Sequence, residues 1–294
     1  RHLKAGRLHF TSSYAAVVPG SDFVFIAVNT PSGAEGEADL KYTRAAAQSI
    51  AKQISHHTII VNKSTVPIGT GDWVAAIVSK HLRPSASFSV VSNPEFLREG
   101  SAINDFMHPD RVVLGSTERT AAIKVGELYR QLRCPVLITD LRTAEMIKYA
   151  SNCLLATEIS FSNEIANICE LTPGVDVARV MDALHLDSRL SPMVNGERMQ
   201  PGILAYLRAG CGYGGSCLPK DVRALITYAQ GHGYQAPLLE AVQAVNQNRP
   251  LRLINILREE VGDLSGRTVA VLGLAFKPDT DDMRASPAIG VVEG

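Results

Sequence analysis

The sequence predicts an α/β protein in which a parallel sheet is wound with helices. Between residues 22 and 140, short runs rich in β-branched residues alternate with stretches whose apolar residues recur at helical spacing. The predicted strands are DFVFIAV, TIIVNKS, FSVVS, RVVLG and PVLITD; the predicted helices are YTRAAAQSIAKQI, GDWVAAIVSKHL and TAAIKVGELYRQL. In such a sheet, ligands bind at the carboxyl ends of the strands.

A helical region follows the predicted sheet. Residues 141–171 contain neither Gly nor Pro, and their apolar side chains recur at helical spacing. At 1.5 Å per residue this helix would be roughly 45 Å long, enough to connect two domains and to offer a dimer interface. Further helices are predicted at about 176–186, 219–231 and 238–260.

The end of the chain returns to strand character. TVAVLGLAF predicts a strand, the polar loop KPDTDDMRASPA follows, and another helix begins near the last residue. We therefore predict a partial sheet domain at 1–140, a helical domain at 141–262 and the start of a second sheet domain at 266–294. The abrupt ends, RHLKAGRLHF and IGVVEG, suggest that the chain is a fragment.

Composition favours a soluble protein with a small-molecule partner. The 29 Lys and Arg residues balance 29 Asp and Glu residues without a long basic run, so no nucleic-acid partner is expected. No apolar run reaches about 18 residues, so no membrane span is expected either. The five cysteines are odd in number and lack C-x-x-C spacing, which predicts a reducing cytoplasm and neither disulfides nor a metal site.

The stretch GCGYGGSCLPKD places Cys217 behind four glycines. Pro219 suits the first turn of a helix, so the thiol is predicted at a junction between a loop and a helix. Backbone N–H groups and the helix dipole favour a thiolate there, which suits a nucleophile; a small buried core residue is the alternative. Asp221, one turn later, could hold a water or only complement the helix dipole.

Other candidates follow predicted strands or lie on the long helix. In SNPEFLREG, Glu95 and Glu99 lie four residues apart and could face one cleft, although Glu99 could also be an ordinary charge at a helix start. Lys148 and Asn152 are neighbours on one helix face. They could meet a developing oxyanion, or Lys148 could be a solvated lysine paired with Glu145.

Five stretches resemble the UDP-glucose/GDP-mannose dehydrogenase family in the same order along the chain: KSTVPIGT, SNPEFLREGSAINDFMHPDRVVLG, AEMIKYASN, GYGGSCLPKD and GLAFKPDTDDMRASP. The resemblance spans nearly the whole chain. It implies Rossmann-like domains on either side of the helical domain and a homodimer through the central helices. It also implies an NAD-dependent, two-step, four-electron oxidation of UDP-glucose to UDP-glucuronate.

The resemblance assigns roles to individual residues. Cys217 would attack the aldehyde to give a thiohemiacetal, which is then oxidised to a thioester and hydrolysed. Lys148 would stabilise the alkoxide, and Asn152 would help to bind the reacting oxygen. Asp221 would assist a catalytic water, and Thr65 would hold that water or the cofactor.

The resemblance also assigns binding residues. Glu95 would serve in thioester hydrolysis as well as in binding. For NAD the resemblance points to Val28, Thr30, Ser64, Thr65, Glu99, Lys220, Lys277 and Arg284. For the nucleotide sugar it points to Glu95, Phe96, Leu97, Arg98, Lys148, Asn152, Tyr206, Leu207, Arg208, Gly212 and Phe276.

This sequence departs from the family pattern in two places. The G-x-G-x-x-G loop and the acidic ribose residue are not in the chain, so the main pyrophosphate and ribose contacts have no residues here. The segment LDSRLSPMVNGERMQPGILAYLRAG is longer than the usual link before the glycine loop. GDP-mannose or a UDP-N-acetylhexosamine is the alternative substrate, and a non-catalytic nucleotide-sugar-binding module is the alternative function.

Overall fold

The computed structural model describes residues 1–31, 33 and 36–294. The chain divides into two compact units, Arg1–Lys148 and Tyr149–Gly294. The first unit is an α/β fold, and the second is largely helical, as predicted. None of the helices in the described residues is long and apolar enough to cross a membrane.

The first unit contains all five predicted strands. They form one sheet in the order β1-β2-β3-β4-β5, with bounds Phe23–Ile26, His57–Asn62, Ser87–Ser92, Val112–Gly115 and Val136–Thr139. Its helices are α1 Tyr14–Val17, α2 Lys41–Ala51, α3 Thr70–His81, α4 Ala102–Met107 and α5 Arg119–Leu128, and short 3-10 turns lie at Val18–Gly20 and Arg130–Leu132.

The predicted parallel sheet is present, but it is mixed, because one of its strand pairs is antiparallel. Strands β1, β2 and β3 run parallel, as do β4 and β5, but β3 and β4 meet antiparallel at Ser92 and Gly115. Parallel neighbours need a crossover that carries the chain back along the sheet. The link from β3 to β4 contains only α4, and none of the six described residues of that helix is buried.

Both faces of the sheet are covered, because successive strand side chains point to opposite faces. Ile60 packs with α2 and α3 on one face, where Ala47 and Val78 are fully buried. Ile59 and Val61 pack with α5 on the other face. This packing leaves the carboxyl ends of β2 and β3 as the edge at which polar side chains collect.

The second unit is built from helices. The long helix α6 runs from Leu141 to Cys169 and so begins in the first unit. The remaining helices are α7 Val177–His185, α8 Leu218–Gly231, α9 Pro237–Val261 and α10 Pro287–Glu293; a two-stranded hairpin, β6 Met193–Val194 and β7 Glu197–Arg198, and a 3-10 turn, Gly202–Tyr206, precede α8.

The prediction of a strand at TVAVLGLAF is wrong. Residues 267–274 have no regular secondary structure, and Leu272 is 94% exposed. A strand exists only through pairing with a neighbour. No strand of the described residues pairs with this segment, so its β-branched residues lack the partner that their propensity requires.

Replacement by alanine is expected to change the stability of the first unit in opposite directions at two glycines, Gly115 and Gly126. A Cβ on Gly115 would lie 2.4 Å from the Asp140 carbonyl oxygen and 2.5 Å from the Ala144 Cβ, so we expect Gly115→Ala to destabilise the unit by about 2 kcal/mol. A Cβ on Gly126 in α5 would meet its nearest neighbours at 3.5 and 3.7 Å. Gly126→Ala should therefore stabilise the helix by about 0.5–1 kcal/mol.

Urea unfolding followed by fluorescence checks both changes. The single tryptophan, Trp73, lies in α3 and reports on the first unit. Equal urea midpoints for Gly115→Ala and Gly126→Ala would contradict the close packing of Gly115 against Asp140 and Ala144.

Candidate functional site

A lysine cluster, formed by Lys63, Glu95 and Lys148, lies in the first unit. Lys148 is 4% exposed, and its Nζ lies 3.2 Å from Glu95 Oε1 and 5.5 Å from the centre of the Phe96 ring. Glu95 Oε2 also accepts a hydrogen bond of 2.6 Å from the backbone N–H of Leu97. The alternative of a solvated lysine paired with Glu145 is therefore wrong.

Glu145 has a different set of partners, three residues before Lys148 on α6. Its carboxylate accepts hydrogen bonds from the backbone N–H groups of Gly69 at 2.6 Å and Gly71 at 2.8 Å, and from Ser92 Oγ at 2.9 Å. Burial raises the pKa of Glu145, and the three hydrogen bonds oppose that rise. A carboxylate at the N-terminus of α3 is also favoured by the helix dipole. Glu145 thus anchors the start of α6, and Lys148 pairs with Glu95 instead.

Lys63 is the cluster member that the sequence analysis missed. It directly follows β2, and desolvation lowers its pKa to about 8; the charge of Glu95 opposes this shift and the charge of Lys148 adds to it. Its Nζ lies 5.8 Å from the centre of the Tyr129 ring. The available signal was its position in KSTVPIGT, at the carboxyl end of a buried strand.

A small pocket adjoins this cluster at the carboxyl ends of β2 and β3. It is partly open to solvent and is lined by Asn62, Ser64, Thr65, Val66, Ser92, Pro94, Glu145 and Lys148. Asn62 is 2% exposed, and no group in the described residues hydrogen-bonds to either of its amide atoms. A buried amide without partners calls for a polar ligand or an ordered water.

Four predicted cofactor residues lie together beside that pocket. Thr30 Oγ1 donates to the Thr65 carbonyl at 2.8 Å, and Ser64 Oγ donates to the Val28 carbonyl at 2.6 Å. These bonds join the loop after β1 to the loop after β2. The carboxyl ends of adjacent parallel strands therefore meet, as the sequence analysis assumed.

The predicted substrate residues 95–98 form an irregular loop after β3. Because residues 93–98 are not helical, the four-residue spacing of Glu95 and Glu99 does not place them on a common face. Arg98 forms a forked pair with Asp105, at 2.7 and 3.1 Å. The guanidinium of Arg111 lies 4.1 Å from the centre of the Phe96 ring.

A second group of predicted residues, the cysteine cluster, lies in the second unit and comprises Asn152, Cys217, Lys220 and Asp221. Cys217 is the N-cap residue of α8, with Pro219 in the first turn, as predicted. Its side chain is exposed, and its Sγ lies 3.7 Å from Ser216 Oγ. The thiol is thus accessible at the positive end of a helix, which suits a nucleophile and excludes the alternative of a buried core cysteine.

Asp221 is the buried member of the cysteine cluster. It is 1% exposed, and its two carboxylate oxygens accept hydrogen bonds from Asn152 Nδ2 at 2.5 Å and Lys220 Nζ at 2.6 Å. The neighbouring Cys153 is also buried, and burial, reinforced by the charge of Asp221, raises its pKa to about 12. Cys153 therefore stays a protonated thiol at neutral pH.

The C-terminal segment contacts the glycine-rich turn that precedes Cys217. The backbone N–H of Gly215 donates to the Arg284 carbonyl at 2.8 Å. A Cβ on Gly215 would lie 2.7–2.9 Å from the Phe276 ring, so only glycine allows this approach. Two predicted ligand-binding residues distant in sequence, Phe276 and Arg284, are thus brought to this turn; Lys277 Nζ lies 5.7 Å from the Phe276 ring centre.

Tyr206, Leu207 and Arg208 lie at the end of the 3-10 turn before the glycines. The Leu207 carbonyl is hydrogen-bonded by His185 Nε2 at 3.0 Å. Arg208 is exposed and lies 3.4 Å from Asp182, so its guanidinium is held by a weak surface pair.

The lowered pKa of Lys63 predicts a pH-dependent stability. Below about pH 8 the lysine is charged in both states, and desolvation of that charge costs the folded state about 3 kcal/mol. Between about pH 8 and 10.5 only the unfolded state keeps the proton, so the cost disappears as the pH rises. We expect Lys63→Met to be more stable than the parent at pH 7 and to lose that advantage by pH 10.

Urea unfolding at pH 7, 8.5 and 10, with Trp73 fluorescence, measures this difference. Lys80→Met is the matched control, because Lys80 is exposed on α3. A gain from Lys63→Met that stays constant with pH would contradict a desolvated charge.

Models of one family match three consecutive parts of the chain. They are described as the NAD binding domain, residues 1–133, the central domain, residues 142–248, and the UDP binding domain, residues 270–294, of the UDP-glucose/GDP-mannose dehydrogenase family. NAD is therefore the cofactor that the first unit's family domain binds.

Individual relatives agree with these matches. The chain is 48% identical to UDP-glucose 6-dehydrogenase TuaD of Bacillus subtilis (97% of this chain, 59% of TuaD). It is 46% identical to UDP-glucose 6-dehydrogenase of Rhizobium meliloti (99% and 65%). The solved structure of a UDP-glucose dehydrogenase from Pyrobaculum islandicum superposes with a TM-score of 0.89 at 42% identity (99% and 65%). The chain thus spans 59–65% of the length of these relatives.

The agreement extends from the Rossmann-like first unit through the helical region to the last residues. Family models cover nearly the whole chain, and the fold matches a solved dehydrogenase along 99% of it. The chain belongs to the UDP-glucose/GDP-mannose dehydrogenase family.

Proposed function

We propose that the protein containing this chain oxidises the C6 alcohol of UDP-glucose to the carboxylate, with NAD as oxidant. The observation that carries the proposal is the exposed thiol of Cys217 at the N-terminus of α8, one turn from the buried Asp221. The names of the relatives described above support UDP-glucose as the substrate.

Cys217 is the covalent nucleophile in this proposal. Its Sγ adds to the C6 aldehyde carbon while the carbonyl oxygen takes a proton, giving a thiohemiacetal. Oxidation of that adduct gives a thioester, which water cleaves to the carboxylate and the regenerated thiol. A thiol suits both steps, because it is a strong nucleophile and a good leaving group. NAD, when bound, accepts the hydride in each of the two oxidations.

Asp221 assists the hydrolytic water. Its carboxylate is oriented by Asn152 and Lys220 through short hydrogen bonds, and a burial this complete keeps it in one position. An amide nitrogen carries two N–H groups, so Asn152 can hold Asp221 with one and the reacting oxygen with the other. Thr65 is proposed to hold the water or the cofactor.

Lys148 stabilises the negative charge that develops on the substrate oxygen. A buried ammonium provides more stabilisation than an exposed one, because little water screens its charge. The pair with Glu95 gives the buried cation of Lys148 an opposite charge nearby. It also holds the Glu95 carboxylate in place, where that group can accept a proton during hydrolysis of the thioester.

The first unit fits a cofactor that binds at the carboxyl edge of its sheet. The side-chain amide of Asn62 lies in the same pocket lining as Ser64 and Thr65. Neither its oxygen nor its nitrogen has a hydrogen-bond partner among the described residues. These groups suit a ligand rich in hydrogen-bonding atoms, such as a dinucleotide. We propose as NAD-binding residues Val28, Thr30, Ser64, Thr65, Glu99, Lys220, Lys277 and Arg284, and as sugar-nucleotide-binding residues Glu95, Phe96, Leu97, Arg98, Lys148, Asn152, Tyr206, Leu207, Arg208, Gly212 and Phe276.

The substrate is tested by NADH formation across nucleotide sugars, with the full-length gene product. We expect UDP-glucose to give the highest kcat/KM, and the product to be UDP-glucuronate by mass spectrometry. A strict preference for GDP-mannose or for a UDP-N-acetylhexosamine would overturn this choice of substrate.

We also propose the three-part division at 1–140, 141–262 and 266–294, and a reducing cytoplasm. All five cysteines, each among the described residues, are free thiols. That state suits a reducing compartment.

A homodimer through α6 is a further part of the proposal. Leu154, Phe161 and Ile168 lie seven residues apart on this helix and are 52%, 46% and 53% exposed. Seven-residue spacing places them in one stripe along the helix, and a two-fold axis would bring the same stripe of a second copy against it.

Removal of the thiol tests the covalent step. We expect Cys217→Ser in the full-length product to lower the rate of carboxylate formation by about 10³-fold or more, because an alcohol neither attacks nor leaves as readily. Cys211→Ser is the matched control, since Cys211 is also exposed in the same turn. Normal formation of UDP-glucuronate by the Cys217 variant would eliminate the covalent intermediate.

A charge in the exposed stripe tests the dimer. We expect Phe161→Asp to convert a dimer of twice the chain mass into a monomer in light scattering, because the carboxylate would be desolvated in the interface. Ile123→Asp is the control, since Ile123 on α5 is 45% exposed outside the stripe. Dissociation by both changes, or by neither, would contradict an interface on α6.

A further inference from the structure

The glycine loop, defined here as residues 210–215, is held at its centre by one side chain of α9. Asn246 Oδ1 accepts the backbone N–H of Tyr213 at 2.7 Å, and Asn246 Nδ2 donates to the carbonyl of the same residue at 2.9 Å. The amide thus pairs with the loop as a neighbouring strand would. Gly212 has φ +106°, and a Cβ there would lie 2.6 Å from Asn246 Oδ1, so this pairing requires glycine.

The start of the loop is held by a second set of side chains. Arg249 Nε donates to the Gly210 carbonyl at 2.7 Å, and Asn163 of α6 accepts the Gly210 N–H at 2.8 Å. Asn246 and Arg249 are three residues apart on α9 and therefore share one face. At Gly210, the first residue of the loop, and at Tyr213, near its centre, both the backbone N–H and the carbonyl are therefore hydrogen-bonded to side chains.

Arg249 is unusual because its charge is buried. The residue is 6% exposed; its Nη1 donates to Asn167 Oδ1 at 2.6 Å and lies 3.7 Å from Glu170 Oε1. A cation is kept in such a place only when its hydrogen bonds are satisfied, so the guanidinium and the loop carbonyl depend on each other.

We propose that Asn246 and Arg249 are positioning residues that hold the glycine loop and thereby keep the thiol of Cys217 at the N-terminus of α8. Only Ser216 separates the end of the loop from Cys217, so a displacement of Tyr213 reaches the thiol within four residues. The inference rests on the proposed function in taking Cys217 as the reacting group. Its test needs no substrate.

Hydrogen exchange and alkylation of this chain measure the effect. In Asn246→Ala we expect the backbone N–H groups of residues 210–215 to exchange about tenfold faster, because two hydrogen bonds to Tyr213 are lost. Iodoacetamide should alkylate Cys217 at least about threefold more slowly, because a displaced sulfur lies farther from the backbone N–H groups and the favourable dipole at the start of α8. Peptide mass spectrometry quantifies each cysteine, with Cys134 of the first unit as internal reference.

The conservative variant separates the two halves of the pairing. Asp in place of Asn246 keeps an acceptor for the Tyr213 N–H but loses the donor to its carbonyl. We expect Asn246→Asp to lie between the parent and Asn246→Ala in both measurements. Likewise, Arg249→Met should speed exchange at residue 210, whereas Arg258→Met should not, because Arg258 is exposed in the last turn of the same helix.

Ile254→Ala controls for a general loss of stability, since Ile254 is a buried residue of the same helix. The proposal is overturned if Asn246→Ala leaves both rates at the parent values, or if Ile254→Ala reproduces both changes. Absence of turnover with any nucleotide sugar would refute the proposed function and would leave the exchange and alkylation results to decide this inference.

Discussion

Hydrogen bonds from side chains to the backbone of glycine-containing turns are the interaction on which the candidate sites of both units depend. In the first unit, Glu145 accepts the N–H groups of Gly69 and Gly71 at the start of α3. In the second unit, Asn246 does the same for Tyr213, beside Gly212. A buried polar group must find a partner, so each turn and each side chain fixes the other.

This constraint explains which groups remain available for chemistry. Because the hydrogen bonds of Glu145 go to α3 and Ser92, the buried Lys148 pairs with Glu95. Because Asp221 is held by Asn152 and Lys220, its carboxyl group stays oriented although it is almost fully buried. Each unit thus keeps an ionisable side chain in a fixed position with little water around it, where electrostatic interactions are screened least.

Two cationic side chains with little access to water, Lys63 and Arg249, differ in how their surroundings treat the charge. Lys63 carries a charge that its surroundings disfavour, which is why its pKa falls to about 8. The guanidinium of Arg249 instead donates hydrogen bonds to a loop carbonyl and to Asn167, which compensate for the water that it has lost. The first arrangement makes the stability of the unit depend on pH, and the second makes the loop depend on the guanidinium.

The sequence by itself determined the features that depend on neighbours along the chain. All five strands of the sheet, the long helix and the place of Cys217 at the start of α8 follow from periodicity, glycine and proline. The family also followed, because its motifs are runs of consecutive residues. Local patterns could not reveal that TVAVLGLAF lacks a strand partner among the described residues, since a strand requires pairing with another segment.

Only the tertiary structure decided which buried groups meet. Lys148 pairs with Glu95, 53 positions away, rather than with Glu145 on its own helix, because Glu145 is taken by α3. Likewise, the desolvation of Lys63 and the two hydrogen bonds between Asn246 and the Tyr213 backbone arise from packing between distant segments. Hydrogen bonds and desolvation depend on distances of a few ångströms, which sequence spacing does not set.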